Sequence, residues 1–569
     1  MARRRGFGAL LAAAWPLLAC FAGLLVLDRA GFGPAPGAPG PGLSFLLVLL
    51  LAFGALWWGL RRLRTARASR GDARPDAGQH PGGASPRHQR HGPSARPRAV
   101  GRQAGAPTDV PVAGVLAVAV VLRLLALPLA PSLSDDVYRY LWDGRVAASG
   151  ANPYLVAPDD ESLTGLRDDL WRKTAHRDVA TVYPPLALGM FAGATTLPRP
   201  LFAYKMALAG VDLAGCALLL LLARRRGNAW AALAYVWNPL LVVEGAGMGH
   251  VDVVGASLVI GCVWLLLGGK RREGGRPDGR PDFEAASGGS RRGRRRTQCA
   301  TPTEVQTGCA DVPVGPPKDT REAEGLAPLG RSGTQWAVAG VVGALAVLAK
   351  LVPLAALPLW WRRTGGPRRR QFAVGAGALL LPATVGVLLW TRGVPPGLVE
   401  YALRWEYNGP LYEPLWRLIG RLRLDLAASG IVHVVRVIFG GDVEATPWST
   451  LYSYAYPQFL ARVALLAAGA VLWLRLWRRR PGPVRAAFGA FAVVLLMSPT
   501  FYPWYLIWIL PWAAVTHARA VLALSATLPL AYLPALTGLP YFPWVYGAVW
   551  LPPLFLLVLE RRRPEPPSP

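Results

Sequence analysis

The sequence predicts an all-α integral membrane protein, a multi-span helical bundle with structured extracytoplasmic loops. Of its 569 residues, 53% are hydrophobic and 17% are charged, and the mean hydropathy is +0.30. Apolar runs recur at roughly the ~20-residue length that a helix needs to cross a bilayer. They lack the period-two alternation of a membrane β-barrel. A helix also satisfies all of its backbone hydrogen bonds internally, as lipid requires.

Basic residues are concentrated between the apolar runs, which explains the net charge of +29. The clusters include Arg3–Arg5, Arg61–Arg62, Arg224–Arg226, Arg368–Arg370, Arg478–Arg480 and Arg561–Arg563. Such clusters orient spans with their basic ends in the cytoplasm and contact anionic lipids. No nucleic-acid-binding motif accompanies the charge, so nucleic acid is not an expected partner. The five cysteines have neither disulfide nor metal-ligand spacing.

Apolar segments that are candidates for membrane spans recur along the chain. They are 8–27, 43–60, 112–130, 203–223, 229–243, 250–268, 335–349, 351–361, 371–390, 457–477, 484–498, 503–516, 519–537 and 543–559. Several are too short for a straight crossing, so tilted, broken or paired short helices are expected. The apolar stretch 183–198 would break the inside–outside parity as a full span. We therefore interpret it as a re-entrant or half-buried helix.

Six segments follow from this topology. Residues 1–60 are expected to form two N-terminal spanning helices, the first of them retained, with a signal peptide over 1–27 as the alternative. Residues 61–110 are expected to form a disordered, basic cytoplasmic linker. Residues 111–268 form the first, catalytic membrane half, with an external loop at 131–183. The remaining segments are a disordered cytoplasmic loop (269–334), a second membrane half (335–560) with an external loop at 391–456, and a cytoplasmic tail (561–569).

The most informative residues are Asp135 and Asp136, directly after the apolar run 112–129. Carboxylates this close to a membrane carry a desolvation cost, and they therefore usually mark a site. Ser134 is expected to cap a helix from Asp135 to about Ser149. About 100° of helix rotation separates the two acids, which predicts different roles.

Either acid could deprotonate a sugar hydroxyl as a general base. Its neighbour could orient the acceptor, or hold a divalent cation that neutralises a leaving phosphate. The alternative is that two acids in a first helical turn merely favour the helix dipole.

Other candidate residues for binding a sugar or a lipid phosphate are spread over both halves: Arg139, Tyr140, Asp143, His176, Tyr183, His250, Asp252, Lys350, Arg404, Tyr502 and Trp504. Each also has a structural interpretation. His250 could be a packing or capping residue, and it diverges from Asp252 unless a helix starts between them. Lys350 needs a partner or must snorkel. The aromatic residues could form an interfacial belt around an arginine phosphate clamp.

Several short motifs occur in a characteristic order over roughly residues 110–515. They are Asp135-Asp136-Val137-Tyr138, Trp142-Asp143-Gly144-Arg145, Gly150-Ala151-Asn152-Pro153-Tyr154, His176-Arg177-Asp178-Val179, Thr181-Val182-Tyr183-Pro184-Pro185-Leu186, Trp237-Asn238-Pro239-Leu240, Gly249-His250-Val251-Asp252, Lys350-Leu351-Val352-Pro353 and Ser498-Pro499-Thr500-Phe501-Tyr502-Pro503-Trp504-Tyr505. Together they resemble the GT-C fold glycosyltransferases, in particular the bacterial polyprenyl-phosphate-sugar-dependent mannosyltransferase-like group.

The resemblance implies a membrane enzyme that moves a hexose, in this group mannose, from polyprenyl phosphate to a glycan or lipid acceptor on the extracytoplasmic face. It implies inversion with Asp135 as base and Asp136 as alternative or partner. Here the acid stands in an Asp-Asp pair, where the family often has Asp-Glu or Asp-x-Asp. A transporter or flippase, a non-catalytic scaffold, and a lipid A or polymer ligase of the same fold are the rival functions.

Overall fold

The computed structural model describes residues 2–31, 39–71, 111–268, 333–440, 442 and 448–562. The predicted disordered stretches therefore lie outside the described residues over 72–110 and 269–332. The described chain is helical, with only isolated bridges from Thr500 to Tyr407 and Asn408 in place of a sheet. The all-α multi-span prediction is confirmed.

Seven described helices are long and apolar enough to cross a membrane. They are Gly8–Arg29, Gly42–Leu63, Pro200–Arg225, Gly366–Thr391, Pro457–Arg479, Arg519–Thr537 and Tyr541–Arg561. The second helix belongs to a longer one, Pro39–Gly71, which continues past the predicted linker start at 61. It continues because Leu63 is buried and Arg62 lies 4.7 Å over the Trp58 ring.

Two segments that the sequence predicted as separate spans form one bent pair of helices. Pro239–Gly247 and Asp252–Leu267 meet at 119°, whereas the sequence predicted separate spans at 229–243 and 250–268. A π-helical turn, Val243–Gly247, ends the first arm, and Gly249 adopts a φ of +85°. Glycine takes that left-handed conformation without a steric cost. The break places His250 in the interior, between the two arms.

Several apolar helices are too short to span alone: Val112–Ala126, Pro185–Thr195, Thr334–Ala349 and Pro483–Met497. Pro185–Thr195 occupies most of the stretch interpreted as re-entrant. Its 11 residues extend about 16 Å, roughly half of a bilayer core. The length agrees with the half-buried interpretation.

The remaining helical segments connect these elements. They are Glu161–Leu166, Asp169–Lys173, Ala229–Ala232, Leu233–Val236, Val352–Ala355, Leu357–Arg363, Pro396–Arg404, Tyr412–Arg421, Leu424–Phe439, Trp448–Ser453, Pro503–Trp508 and Leu510–Thr516. The predicted spans at 351–361 and 503–516 are thus each divided into two short helical pieces.

The helix at the start of the predicted first external loop is Asp136–Ala148, one residue shorter at each end than predicted. Asp135 occupies the N-cap position without a capping bond from its side chain. Ser134 Oγ instead accepts the N–H of Asp136 at 3.3 Å. Gly150, with φ +87°, follows the helix end, as the sequence predicted.

Arg123, the charged residue within the short helix Val112–Ala126, is paired with an acid. Arg123 is 1% exposed, and its guanidinium lies 2.8 Å from a carboxylate oxygen of Asp212. It also donates to the Val236 carbonyl oxygen at 2.6 Å. A charge inside a membrane protein is retained when it is paired in this way. The pair therefore connects three helical segments, Val112–Ala126, Pro200–Arg225 and Leu233–Val236.

Candidate active site

A cavity of about 250 Å³ lies between the predicted first external loop, 131–183, and residues from 350 onwards. Its polar wall includes Asp136, His176, Lys350, Tyr401, Ser498 and Tyr505. Its apolar wall includes Val182, Pro184, Leu351, Leu398, Val494 and Leu495. An apolar cavity with a few convergent polar groups is the usual form of a ligand site.

The two adjacent acids have different surroundings. Asp136 lines the cavity, is 24% exposed, and accepts a hydrogen bond from the Tyr140 hydroxyl at 3.3 Å. Asp135 is exposed. Desolvation by the surrounding protein and the negative charge of Asp136 raise the pKa of the Asp135 carboxyl. The cavity therefore receives the second acid of the pair.

His250 lies behind Asp136 and does not reach the cavity. It is fully buried, and its ring stacks on Trp504 with centroids 3.8 Å apart. Its Nδ1 lies 3.4 Å from the Tyr140 hydroxyl and 3.9 Å from Asp136 Oδ2. Its Nε2 lies 3.2 Å from Glu244 Oε2. Direct contact between His250 and a phosphate or an acceptor does not fit this burial.

Glu244 is the main site residue that sequence reasoning missed. It is 1% exposed and accepts a hydrogen bond from the Tyr532 hydroxyl at 2.8 Å. The sequence did contain a signal, since Glu244 is the one acidic or basic residue in the apolar stretch 229–248. Intramembrane acids are functional candidates by default.

Lys350 and Asp252 form an ion pair at the cavity wall. Lys350 Nζ lies 2.9 Å from Asp252 Oδ2, with side chains 18% and 0% exposed. The Trp508 indole N–H donates to the other oxygen of Asp252 at 2.7 Å. The second arm of the bent pair starts at Asp252, so a helix does start between His250 and Asp252. The sequence analysis named this as the one case in which the two side chains need not diverge. The two side chains nevertheless bind different partners.

Arg139 and Asp143 hold the wall of the cavity. Arg139 Nε donates to Asp143 Oδ1 at 2.7 Å. Its other nitrogens donate to the carbonyl oxygens of His176 at 2.7 Å and Val179 at 2.6 Å. Asp143 is 2% exposed and is not among the cavity-lining residues. Its predicted contact with substrate is therefore replaced by a contact with Arg139.

Aromatic residues from three segments shape the site. Tyr140 packs edge-on to Tyr183, with centroids 5.0 Å apart. Tyr502 stacks on Trp504 at 4.5 Å, and both line the cavity, as does Tyr183. The His176 ring lies 4.7 Å from that of Trp405. These predicted residues do converge.

The predicted phosphate clamp at Arg404 is not in the site. Its side chain is 76% exposed and pairs with Glu400 at 2.8 Å. The same helix, Pro396–Arg404, presents Tyr401 to the cavity instead, followed by Trp405. Within the described residues, no group of three or more His, Cys, Asp or Glu side chains could hold a metal ion.

Comparison with protein families decides what kind of domain surrounds this cavity. Residues 98–363 match the MptA_B family, described as alpha-(1->6)-mannopyranosyltransferase, N-terminal domain. This stretch is just under half of the chain, and it is similar to a mannosyltransferase-family domain. The resemblance to GT-C mannosyltransferases is thereby confirmed, and mannosyl transfer is the activity that it supports.

The matched region of this mannosyltransferase-like protein includes both acids, His250 and the ion pair of Lys350 with Asp252. It ends before Tyr502 and Trp504, which complete the cavity from the second half. No curated protein and no solved structure matches the chain significantly.

Proposed function

We propose that the protein transfers mannose from polyprenyl phosphate to a glycan or lipid acceptor on the extracytoplasmic face of the membrane. One observation carries the proposal: a carboxylate, Asp136, and an ammonium, Lys350, line one cavity among membrane helices. The carboxylate can act as a general base, and the ammonium can bind the phosphate of the donor. The family match supports mannose as the sugar.

The two walls of the cavity fit the two ends of a lipid-linked donor. Leu351, which is 42% exposed, and Leu398 lie on the apolar wall, where a polyprenyl chain could enter from the bilayer. Lys350 can offer its remaining N–H donors to the phosphate while Asp252 holds its position. A donor already activated as a lipid phosphate needs no nucleotide, and the sequence contains no glycine-rich phosphate loop.

The reaction that fits is a single inverting displacement. The acceptor hydroxyl oxygen forms a bond to the anomeric carbon while the bond from that carbon to the phosphate oxygen breaks. The hydroxyl proton passes to the base, and polyprenyl phosphate leaves with the bonding electron pair. Lys350 stabilises the charge that develops on that phosphate.

We assign the base to Asp136, the alternative that the sequence left open, because it lines the cavity and Tyr140 orients it. Asp135 remains the competing assignment. Its raised pKa would suit a base, but it is not among the cavity-lining residues.

The external location rests on charge. The basic clusters at Arg61–Arg62, Arg224–Arg226 and Arg561–Arg563 mark cytoplasmic ends. The backbone N–H of Ala130, five residues before Asp135, donates to the Asp28 carboxylate at 3.0 Å. Asp28 lies at the end of the span Gly8–Arg29 that is away from Arg3–Arg5, which supports an extracytoplasmic position for the acids.

Transfer of labelled mannose from polyprenyl phosphate by the purified protein in lipid nanodiscs tests the proposal. Asp136→Asn should lower turnover by about two to four orders of magnitude, the range for loss of a general base, and Asp135→Asn by much less. Asp169→Asn is the matched control, since Asp169 is 83% exposed and pairs only with Arg172 at the surface. Full activity of Asp136→Asn would reject the assignment of the base. Absence of mannosyl transfer by the wild type would reject the donor.

A further inference from the structure

A chain of buried polar groups leads away from Asp136 into the protein. It runs from Asp136 through the Tyr140 hydroxyl to His250, and from His250 to Glu244. The Tyr532 hydroxyl closes the far end by donating to Glu244. The chain joins the first external loop, the bent helix pair and the second membrane half.

The hydrogen-bond directions along this chain determine where its protons lie. A carboxylate only accepts, so the single proton of the Tyr140 hydroxyl is donated to Asp136. Nδ1 of His250 must then donate to the Tyr140 oxygen, 3.4 Å away. Nε2 of His250 lies 3.2 Å from Glu244 Oε2, and neither of these buried atoms makes an aligned hydrogen bond within the described residues. A buried carboxylate needs a positive partner, and His250 is such a partner for Glu244 when Nε2 carries a proton as well as Nδ1.

We propose that His250 is a buried imidazolium ion held between Glu244 and Asp136, and that Glu244 is a positioning residue acting on Asp136 through it. The proposal rests on the proposed function only in taking Asp136 as the base. Two carboxylates and one cation leave the cluster with a single negative charge, located at the cavity.

This arrangement has a consequence for the base. A nearby cation favours the ionised form of a carboxylate, so Asp136 stays ready to accept a proton. The cation cannot move into the cavity, because His250 is fully buried and stacked on Trp504. Asp135 is a further charged group that acts on His250. Asp252, two residues along the chain, is paired with Lys350, and Lys205, whose stem lies beside Gly249, donates to the Leu129 carbonyl oxygen.

The π-helical turn is what allows Glu244 to take part. Val243–Gly247 ends one arm of the bent pair, and His250 lies in the break before the second arm starts at Asp252. Such turns within helices frequently occur at functional sites. Here the turn brings Glu244 and His250, six residues apart in sequence, to face each other.

Solid-state ¹⁵N NMR of histidine-labelled protein in lipid at pH 8 tests the charge directly. An ordinary histidine, with a pKa of about 6.5, is neutral at that pH. We expect one doubly protonated imidazole that disappears in His250→Gln and becomes singly protonated in Glu244→Gln. Glu413→Gln is the matched control, because Glu413 is also buried but pairs with Arg417. A singly protonated His250 in the wild type would overturn the proposal.

Kinetics test the link to the base. Glu244→Gln should lower kcat about tenfold or more with little change in the KM for the donor, and should move the acidic limb of the pH profile to higher pH. Tyr532→Phe removes only one hydrogen bond from Glu244 and should have the same effects to a smaller extent. Tyr532→Phe also provides the kinetic test if Glu244→Gln fails to fold. An unchanged pH profile in both variants would remove the positioning role.

The two proposals fail in distinguishable ways. If the wild type does not use polyprenyl-phosphate mannose but shows the charged imidazole, the donor assignment is wrong and the buried ion stands. If transfer occurs and His250 is neutral, the mannosyltransferase proposal stands without the imidazolium.

Discussion

Lys350 and Asp252 form an ion pair of 2.9 Å in which the acid is completely buried and the lysine reaches the cavity. The pair joins the start of the second arm of the bent helix pair to the segment just after the helix Gly333–Ala349. It explains how a lysine remains at membrane depth with ammonium donors still directed to a ligand.

Variants of Lys350 and Asp252 should show which of the two charges is needed for stability and which for activity. Lys350→Met leaves Asp252 buried without its partner, which typically costs about 3–5 kcal/mol. Adding Asp252→Asn should restore most of that stability but no activity, because the phosphate contact is still missing. Thermal unfolding and mannosyl transfer, measured on the single and double variants, check this. An active double variant would contradict the role of Lys350.

Arg139 and Arg404 should differ sharply on substitution. Arg139→Ala removes the ion pair with Asp143 and the bonds to the loop carbonyls, so activity should fall about tenfold or more. Arg139→Lys should not rescue it, because an ammonium lacks the planar fork of a guanidinium. Arg404→Ala is the control and should retain activity, since Arg404 is exposed. Equal losses of activity in Arg139→Ala and Arg404→Ala would support the phosphate clamp that the sequence predicted at Arg404.

Asp135 should give the stability of the protein a distinct pH dependence. Its pKa is raised in the folded state, so its charged form disfavours folding above that pKa. Asp135→Asn should therefore raise the melting temperature at pH 7. The difference should shrink as the pH falls through the raised pKa, and vanish well below the usual value near 4.

Melting curves of the wild type and Asp135→Asn between pH 4 and pH 8, followed by tryptophan fluorescence, provide the measurement. No capping bond is lost in the variant, because the Asp135 side chain makes none. A constant difference across the whole range would show that charge is not the cause.

Gly144 permits the closest approach of the helix Asp136–Ala148 to its neighbour. An added Cβ would lie 2.4 Å from the Phe191 carbonyl carbon, so Gly144→Ala must push the helices apart. Overpacking of this kind costs about 1–3 kcal/mol, and the shift should also displace Asp136 and reduce transfer. Gly193→Ala on the partner helix meets nothing within 4 Å, and we expect it to leave both stability and transfer unchanged. Comparable melting temperatures for the two variants would argue against this contact.

Local patterns in the sequence determined a large part of this protein. Span-length apolar runs predicted the helical bundle, because lipid leaves the backbone few alternatives. Ser134 and Gly150 came close to predicting the ends of the helix Asp136–Ala148. Asp135, Asp136, Tyr183, Lys350, Tyr502 and Trp504 were recognised as candidates from residue type and position at the membrane boundary.

Only the tertiary structure decided how those candidates divide the work. A helical rotation of 100° separates Asp135 from Asp136, but only packing shows which of them faces a cavity. The 119° bend that buries His250 against Glu244 depends on contacts with Tyr140, Trp504 and Tyr532, from distant parts of the chain. Partner choice among buried charges is non-local: the sequence shows that Lys350 and Arg123 need partners, and the fold supplies Asp252 and Asp212.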